Sequence, residues 1–329
     1  MRNSARPSRV YVGESPPKPL NLVEPIARLQ TGAQETIELA RRERTTARRL
    51  DALAFSADPL QALVGPVPEF TRDLDLRARR ILGQLIIGNL AERVFEDLYA
   101  TSVGTQDLRL EDDRVARGDT DYLVLDGIGR RVFRINIKFN GSQFRSARQL
   151  VGLDPDDCFA LATYKIHAAL KKQDAEHLPY IFVIVGVPGL TGDQVCDSLP
   201  DELVRLAAFA HEVPRITGKR QIEDRIVDRL TSEPDAFGVG RAIGEHISRI
   251  RGAPWYVLSA RRADRLLREM LFERAYALRV RSFARNYRGA ELDMHFSLTQ
   301  DLRPLGEFLE VLREHGMPGL VSRLERGTL

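Results

Sequence analysis

The sequence is poor in cysteine, and it contains no long hydrophobic run. Its 329 residues include two cysteines, Cys158 and Cys196, which lie far apart along the chain. Such a pair supports neither a disulfide framework nor a cysteine-rich metal site. No apolar stretch approaches the roughly 18 residues that a membrane-spanning helix needs, so we expect no membrane span. The N-terminus is basic and proline-rich without the apolar segment of a secretory signal, and we therefore expect a cytoplasmic protein.

Several familiar catalytic motifs are also missing. The sequence has no GxxxxGK[ST] loop, no HExxH helix and no GxSxG elbow. These absences argue against P-loop nucleotide hydrolysis, zinc-dependent proteolysis and the serine-hydrolase mechanism.

Lysine is scarce among the basic residues. The 49 basic side chains include only six lysines, and four of those lie between residues 138 and 172. An arginine-rich composition is typical of a GC-rich genome and needs no functional reason. A lysine kept against this background can act as a compact proton donor, whereas an arginine guanidinium cannot be deprotonated in a protein. The net charge of +3 is too small to indicate a partner by itself.

Residues 118–140 carry the strongest local pattern, GDTDYLVLDGIGRRVFRINIKFN. They predict two β-strands joined by a turn at residues 126–129, because an Asp-Gly pair between β-rich runs favours a hairpin. Alternation along the second strand predicts an apolar face and a polar face, and the polar face bears Asn136 and Lys138. Asp119 and Asp121 share one face of the first strand. If the polar faces coincide, acids lie beside a lysine and an amide, a cluster that usually binds a metal ion, a phosphate or each other.

Proline positions and helical periodicity divide the chain. Three prolines between residues 59 and 68 indicate a boundary. We predict a long amphipathic helix over residues 74–100, with Glu92 as a carboxylate among apolar neighbours, and a short strand near 107–110. The predicted organisation is an N-terminal arm and helical segment at 1–70, a core at 71–190, and a mostly helical, α+β region at 191–329.

The second half of the core predicts a helix and a buried strand. Residues 154–157, Asp-Pro-Asp-Asp, are typical of a cap at the start of a helix, which we predict over 158–173. The continuous apolar run at 179–187 predicts a strand that is buried on both faces.

The C-terminal region is rich in arginine. Between residues 241 and 288, twelve arginines accompany only four acidic residues, with aromatic residues among them. This pattern favours contact with phosphates and bases, although a solvated surface or an acidic protein partner fits the same composition. The predicted elements are helices at 198–212, 220–231, 236–251, 260–274 and 302–315, a strand at 255–259, and a hairpin of strands 276–283 and 291–298. The residues predicted to contact nucleic acid are Arg145, Arg148, Lys165, Lys171, Lys172, Arg261, Arg262 and Arg265.

The order helix, three strands, helix, strand over residues 74–187 resembles the PD-(D/E)xK nuclease superfamily. In this resemblance Glu92 matches the helix glutamate of the family. Asp121 matches the metal-binding aspartate, with Asp119 as the alternative. The segment Asn136-Ile137-Lys138 matches the (D/E)xK element, but asparagine replaces its acid.

The resemblance implies an α+β fold with a restriction-endonuclease-like αβββαβ core, and a DNA endonuclease or nickase that depends on Mg²⁺ or Mn²⁺. Phosphodiester hydrolysis needs a cation that neutralises the phosphate and makes a water nucleophilic. The implied metal ligands are Asp121, Glu92, Asn136 and Asp119, and the implied catalytic residues are Asp121, Asn136, Lys138 and Glu92. Lys138 would orient the attacking water or stabilise the charged phosphorane.

The resemblance also implies a partner and a biological setting. DNA is the implied partner, with a homodimer or partner subunits of a restriction or phage-defence complex. Two other interpretations fit the residues. The chain could be an inactive nuclease-like module that binds DNA or scaffolds a complex. It could also be an α/β protein of another kind, in which Asp121 and Lys138 form a structural ion pair.

Overall fold

The computed structural model describes most of the chain from residue 72 onward. The described residues are 72–103, 108–113, 120–141, 147–199, 204, 227–228, 230–272, 280–283 and 291–325. The predicted N-terminal segment at 1–70, Asp119 and Arg145 lie outside these ranges. None of the helices within them is both long and apolar enough to cross a bilayer.

The first helix, α1, spans Arg72–Val103 and confirms the helix predicted over 74–100. Its apolar side chains recur every three or four residues, so they share one side of the helix. That side is buried in the main core, while Glu92 lies half-buried beside it. The buried apolar residues of α1 are Leu82, Ile86, Ile87, Leu90, Ala91, Val94, Phe95, Tyr99 and Val103.

Three antiparallel strands follow α1, and they confirm the predicted hairpin. The turn closes because the backbone N–H of Asp126 donates to the carbonyl of Arg130 at 2.9 Å. The Asp126 carboxylate accepts from the N–H groups of Ile128 and Arg130 at 3.1 and 2.8 Å. Gly129 has a φ of +79°, a conformation that glycine adopts without steric cost. The strands are β1 (Arg109–Asp112), β2 (Tyr122–Leu125) and β3 (Arg131–Asn140).

The connection from β3 to the next strand of the same sheet departs from the prediction. Asp154 does cap a turn, since its side chain accepts from the N–H of Asp156, but that turn is a short 3-10 helix at Pro155–Asp157. The predicted helix over 158–173 is wrong at its beginning, because Cys158–Ala162 forms a strand, β4. This strand pairs with residues 293–297, and a partner so distant leaves no local signal. The remaining elements are α2 (Ala147–Val151), α3 (Thr163–Glu176) and β5 (Tyr180–Gly186).

The C-terminal region supplies strands to two sheets. The strand at 255–259 and the strands of the predicted hairpin are confirmed. The last helix continues through Pro318, well beyond the predicted end at 315, and a short helix at 192–197 was not predicted. The helices predicted at 198–212 and 220–231 fall mainly outside the described residues. The elements are α4 (Gly192–Asp197), a 3-10 turn (Pro234–Phe237), α5 (Gly240–Arg251), β6 (Trp255–Ser259), α6 (Ala260–Phe272), β7 (Val280–Phe283), β8 (Glu291–Ser297), β9 (Arg303–Pro304) and α7 (Leu305–Glu325).

The two sheets establish a mixed α+β architecture. The larger sheet has the strand order β1-β2-β3-β5-β6-β9, and the smaller has the order β4-β8-β7. All neighbours in the larger sheet are antiparallel except β3 and β5, which are parallel. A parallel pair needs a crossover connection, and α3 lies in that connection. Strands from both sides of residue 190 belong to this one sheet, so the segments 71–190 and 191–329 share a core.

The larger sheet is covered on both faces. One face packs against α1, α4, α5 and α7 in the main core. The other face packs against α3, α6 and the smaller sheet in a second core. The strand β5 is buried along its full length, as predicted from its apolar run, because it contributes to both cores in alternation.

Two glycines allow α1 and α4 to approach closely. A Cβ atom added at Gly83 would lie 1.9 Å from the carbonyl oxygen of Gly192, and one at Gly192 would lie 2.5 Å from that of Arg80. Nearby, the Cys196 thiol donates to the carbonyl of Arg79 at 2.8 Å. The contact is therefore backbone against backbone, and it leaves no space for a side chain.

We predict that Gly83→Ala lowers the free energy of unfolding by about 1–3 kcal/mol, because overpacking forces the two helices apart. Gly88→Ala in the same helix is the matched control, since a Cβ there meets nothing within 4 Å. It should leave stability unchanged or raise it by up to about 1 kcal/mol, the helix-propensity difference between the residues. Urea denaturation of both variants measures this. Equal stability of the two variants would contradict the packing argument.

Candidate active site

Asp121 lies at the start of β2 and is held against β3. Its carboxylate oxygen Oδ2 accepts from the backbone N–H of Ile137 at 2.5 Å. Its own N–H donates to the carbonyl of Ile135 at 3.1 Å. Tyr122 pairs with Ile135, so the antiparallel register places Asp121 opposite Asn136. The predicted coincidence of the two polar strand faces is therefore confirmed at Asp121.

Lys138 lies on the same face of β3, two residues beyond the buried Asn136. Its Nζ donates to the carbonyl of Ile137 at 3.3 Å. Burial lowers the pKa of Lys138 below its ordinary value. The carboxylates of Asp121 and Glu92 oppose this effect, while the ammonium of Lys165 adds to it. The ammonium of Lys138 thus lies within electrostatic reach of both predicted acids.

Glu92 reaches this group from a different element. It is carried by α1, whose apolar side packs on the sheet face that bears Ile135 and Ile137. The Glu92 carboxylate raises the pKa of Lys138, but its effect is smaller than those of burial, Asp121 and Lys165. The structure therefore brings Asp121, Asn136 and Lys138 together on one face of the hairpin, and Glu92 of α1 lies within electrostatic reach of Lys138.

Lys165 is brought to the same site by the path of α3. Asn140, at the end of β3, donates from Nδ2 to the carbonyl of Cys158 at 3.2 Å, at the start of the β4 strand that leads into α3. At the other end, Arg134 of β3 donates from Nε to Glu176 of α3 at 2.6 Å. From Arg134 to Lys138 is about 13 Å along a strand. Lys165 lies about 16 Å, or about three turns, before Glu176 along α3. It is therefore on the same side of the helix as Glu176 and near the level of Lys138.

Arg134 holds this arrangement through buried contacts. Arg134 is 5% exposed, and its guanidinium forms an ion pair with Asp113. The guanidinium also donates a hydrogen bond to Thr120 Oγ1 at 3.0 Å. Thr120 in turn donates to Asp113. A buried charge is tolerated only when it is paired and hydrogen-bonded, and these contacts satisfy both conditions. Alternation predicts only that Arg134 shares the polar face of β3 with Asn136 and Lys138, and no local pattern indicates its buried ion pair.

The other residues predicted to contact nucleic acid lie on α2, α3 and α6. Lys171 is exposed and Lys172 is half-buried, both on α3. Arg148 forms an ion pair with Asp154 at 2.6 Å. On α6, Arg261 approaches Asp174 of α3 at 3.5 Å, and Arg265 approaches Glu269 at 3.9 Å.

Arg262 has a structural contact. Its Nε donates to the carbonyl of Asp301 at 2.6 Å, which ties α6 to the segment before β9. Burial lowers the pKa of Arg262, and the neighbouring Arg303 and Arg265 lower it further. Of the arginines predicted on α6, Arg261 and Arg265 are the more exposed to solvent.

Tyr164 is a site neighbour that the sequence analysis did not single out. Its side chain is 52% exposed, and its ring centroid lies 6.0 Å from Nζ of Lys165. The predicted helix over 158–173 put Tyr164 in mid-helix, whereas α3 begins at Thr163. The sequence spacing of Ile166 and Ala169, the residues on the buried face of α3, would have indicated that Tyr164 lies on the solvent-exposed face.

A cavity of about 1040 Å³ lies elsewhere, between α1 and the hairpin turn. Its lining includes Glu96, Tyr99, Leu110 and Ile128, and it contains none of the predicted catalytic residues. The candidate active site is therefore distinct from this cavity. The argument for a functional site depends on the chemistry of its side chains and not on a pocket.

The candidate metal ligands at this site are all oxygen atoms. Within the described part of the chain, no three His, Cys, Asp or Glu side chains are grouped as a metal site. The cluster offers two carboxylates, Asp121 and Glu92, together with the amide of Asn136 and the carbonyl of Ile137. Mg²⁺ is usually held by one or two carboxylates, with water and substrate phosphate oxygens as its other ligands. The residues therefore fit a hard divalent cation that shares its coordination with substrate.

Comparison with known proteins yields no relative. A scan against protein-family models finds no matching family, and searches of curated proteins and of solved structures find no match.

We predict that Arg134→Met lowers the free energy of unfolding by about 3–5 kcal/mol, because it leaves the buried carboxylate of Asp113 without its cation. Hydrogen exchange should also accelerate in α3. Arg241→Met is the control, since the Arg241–Glu245 pair is exposed and worth less than about 1 kcal/mol.

Adding Asp113→Leu to Arg134→Met removes the stranded charge, so the double variant should recover part of the lost stability. Denaturant unfolding of the single and double variants checks this. A loss no larger than that of the Arg241 control would show that the buried pair contributes little.

Proposed function

We propose that the protein is a metal-dependent DNA endonuclease or nickase that hydrolyses phosphodiester bonds. The observation that carries the proposal is the position of Asp121 beside Asn136 and Lys138 of β3, with the Glu92 carboxylate of α1 within electrostatic reach of Lys138. Carboxylates beside a lysine whose pKa is lowered by burial are typical of a catalytic site.

The order of elements supports a restriction-endonuclease-like core. Helix α1 precedes the antiparallel strands β1, β2 and β3, and α3 then leads to β5, parallel to β3. The additional strand β4 belongs to the smaller sheet, so the αβββαβ order of the larger sheet is kept. Asp121 immediately precedes β2 and Lys138 lies on β3, which supports the resemblance, whereas Asn136 stands in place of the family acid.

The proposed cofactor is Mg²⁺ or Mn²⁺. Asp121 and Glu92 would hold the ion through carboxylate oxygens, with Asn136 and the carbonyl of Ile137 completing the protein ligands. The ion would neutralise phosphate charge and lower the pKa of a bound water. With asparagine in place of the family acid, the protein contributes less negative charge, so we expect weaker metal affinity and a preference for Mn²⁺.

The chain's own residues have separate tasks. The N–H of Ile137 fixes the orientation of the Asp121 carboxylate. The ammonium of Lys138 is positioned to stabilise negative charge on the phosphorane or to orient the attacking water. Lys165 supplies a second cation for phosphate at the mouth of the site.

A second candidate function is an inactive module that binds DNA. The absence of a three-carboxylate group in the described residues favours it. Under this alternative, Lys138 and Lys165 contact phosphate, and no bond is broken. The proposed defence role rests on the family resemblance alone. A homodimer or partner subunits belong to the main proposal because a double-strand cut at one position needs two active sites.

We predict that the full-length protein nicks or linearises supercoiled plasmid DNA with Mn²⁺ or Mg²⁺, and that EDTA abolishes the reaction. Asp121→Asn keeps an oxygen for the N–H of Ile137 but removes the charge, and Lys138→Met removes the cation. Each should reduce the rate by at least about 100-fold, as expected for loss of a group that stabilises the transition state.

Glu310→Gln is the matched control, because it removes an exposed carboxylate far along the chain on α7. It should cleave at the wild-type rate. Cleavage that survives both Asp121→Asn and Lys138→Met would overturn the proposed site. Salt-sensitive DNA binding without any cleavage would favour the inactive module.

A further inference from the structure

Tyr164 offers an aromatic surface to solvent beside the candidate active site. It is 52% exposed, although large apolar and aromatic side chains in the described residues are mostly buried. Its ring centroid lies 6.0 Å from Nζ of Lys165, and Lys165 lies within electrostatic reach of Lys138 of β3. An aromatic ring and two ammonium groups therefore share one side of the molecule.

This combination matches the two chemical parts of a nucleotide. Ammonium groups bind phosphate, and an exposed aromatic ring stacks on a base. In a duplex, the neighbouring base pairs cover both faces of each base, so a protein reaches only base edges and the backbone. A ring at this position can stack only on a base that is single-stranded, terminal or displaced from the helix.

We propose that Tyr164 stacks on an unpaired nucleobase adjacent to the phosphate held by Lys138 and Lys165. The substrate of the site is then single-stranded DNA, or duplex DNA with an unpaired or displaced base. This inference rests on the proposed function for its cleavage consequence, but the stacking contact itself requires no catalysis.

The geometry favours a base over a protein partner for Tyr164. The ammonium of Lys165 lies 6.0 Å from the ring centroid, and Lys165 lies within electrostatic reach of Lys138. Both cations attract the phosphate that is covalently linked to every base. The hydroxyl of Tyr164 is not needed for stacking, so phenylalanine should replace tyrosine without loss. A hydrogen-bonded protein contact would instead depend on that hydroxyl.

The test uses the full-length protein in EDTA, so that no DNA is cut during binding. The probe is an oligonucleotide that contains 2-aminopurine, whose fluorescence falls when the base stacks. We expect the wild-type protein to quench the single-stranded probe and to bind it more tightly than the fully paired duplex. Tyr164→Phe should retain both properties.

Tyr164→Ala should lose the quenching and bind the single strand about 10-fold more weakly, the effect of removing one base–aromatic stack. Its affinity for duplex DNA should be unchanged. Ile128→Ala is the matched control, because it removes an apolar side chain that is 77% exposed at the hairpin turn, away from the site. Thermal unfolding confirms that each variant is folded.

Cleavage with Mn²⁺ provides the second measurement. The wild-type protein should cut a single-stranded oligonucleotide, or supercoiled plasmid with its unpaired regions, faster than linear duplex. Tyr164→Ala should lower the rate on single strands and leave the rate on duplex unchanged.

The outcomes separate the two proposals. Quenching that depends on Tyr164 without cleavage of any DNA would overturn the nuclease proposal but not the stacking contact. Cleavage of DNA with quenching and strand preference unaffected by Tyr164→Ala would overturn the stacking contact but not the nuclease proposal. Loss of binding in Tyr164→Phe would also overturn stacking, because the hydroxyl would then be the group that matters.

Discussion

The candidate site depends on the ion pairs that the buried guanidinium of Arg134 forms with Asp113 and Glu176. This guanidinium lies in the middle of the larger sheet, where an unpaired charge would cost several kcal/mol. Its contacts with Asp113, Thr120 and Glu176 join the start of the hairpin to β3 and to the end of α3. The same contacts set the position of α3 along the strand, and that position decides which side chains of α3 reach the site.

The proposed chemistry follows from this placement. Asp121, Glu92 and Lys138 come from the start of β2, from α1 and from β3, so only the packed sheet can bring them together. Lys138 lies on β3, which pairs in parallel with β5, and it is half-buried there, so burial lowers its pKa. In such surroundings a fixed charge acts more strongly on a phosphate than it would in water.

The exposed face of α3 carries the side chains that contact DNA in the proposed complex. The strand β4 occupies residues 158–162, and α3 therefore begins at Thr163 with Tyr164 and Lys165 in its first turn. Had the helix begun at residue 158, these side chains would have stood one turn deeper in a longer helix. A pairing with residues 293–297 thus controls which groups meet the DNA in the proposed complex.

The sequence by itself determined the elements whose signals are local. The turn chemistry of Asp126-Gly127, the alternation along β3, the periodicity of α1 and the apolar run of β5 each appear within a few neighbouring residues, and the face shared by Asp121, Asn136 and Lys138 follows from them. Only the tertiary structure decided that Cys158–Ala162 is a strand, that Arg134 is buried in an ion pair, and that Glu92 and Lys165 lie within electrostatic reach of Lys138. These features depend on contacts between residues far apart in the chain, and the energy of a distant contact leaves no periodic pattern in the local sequence.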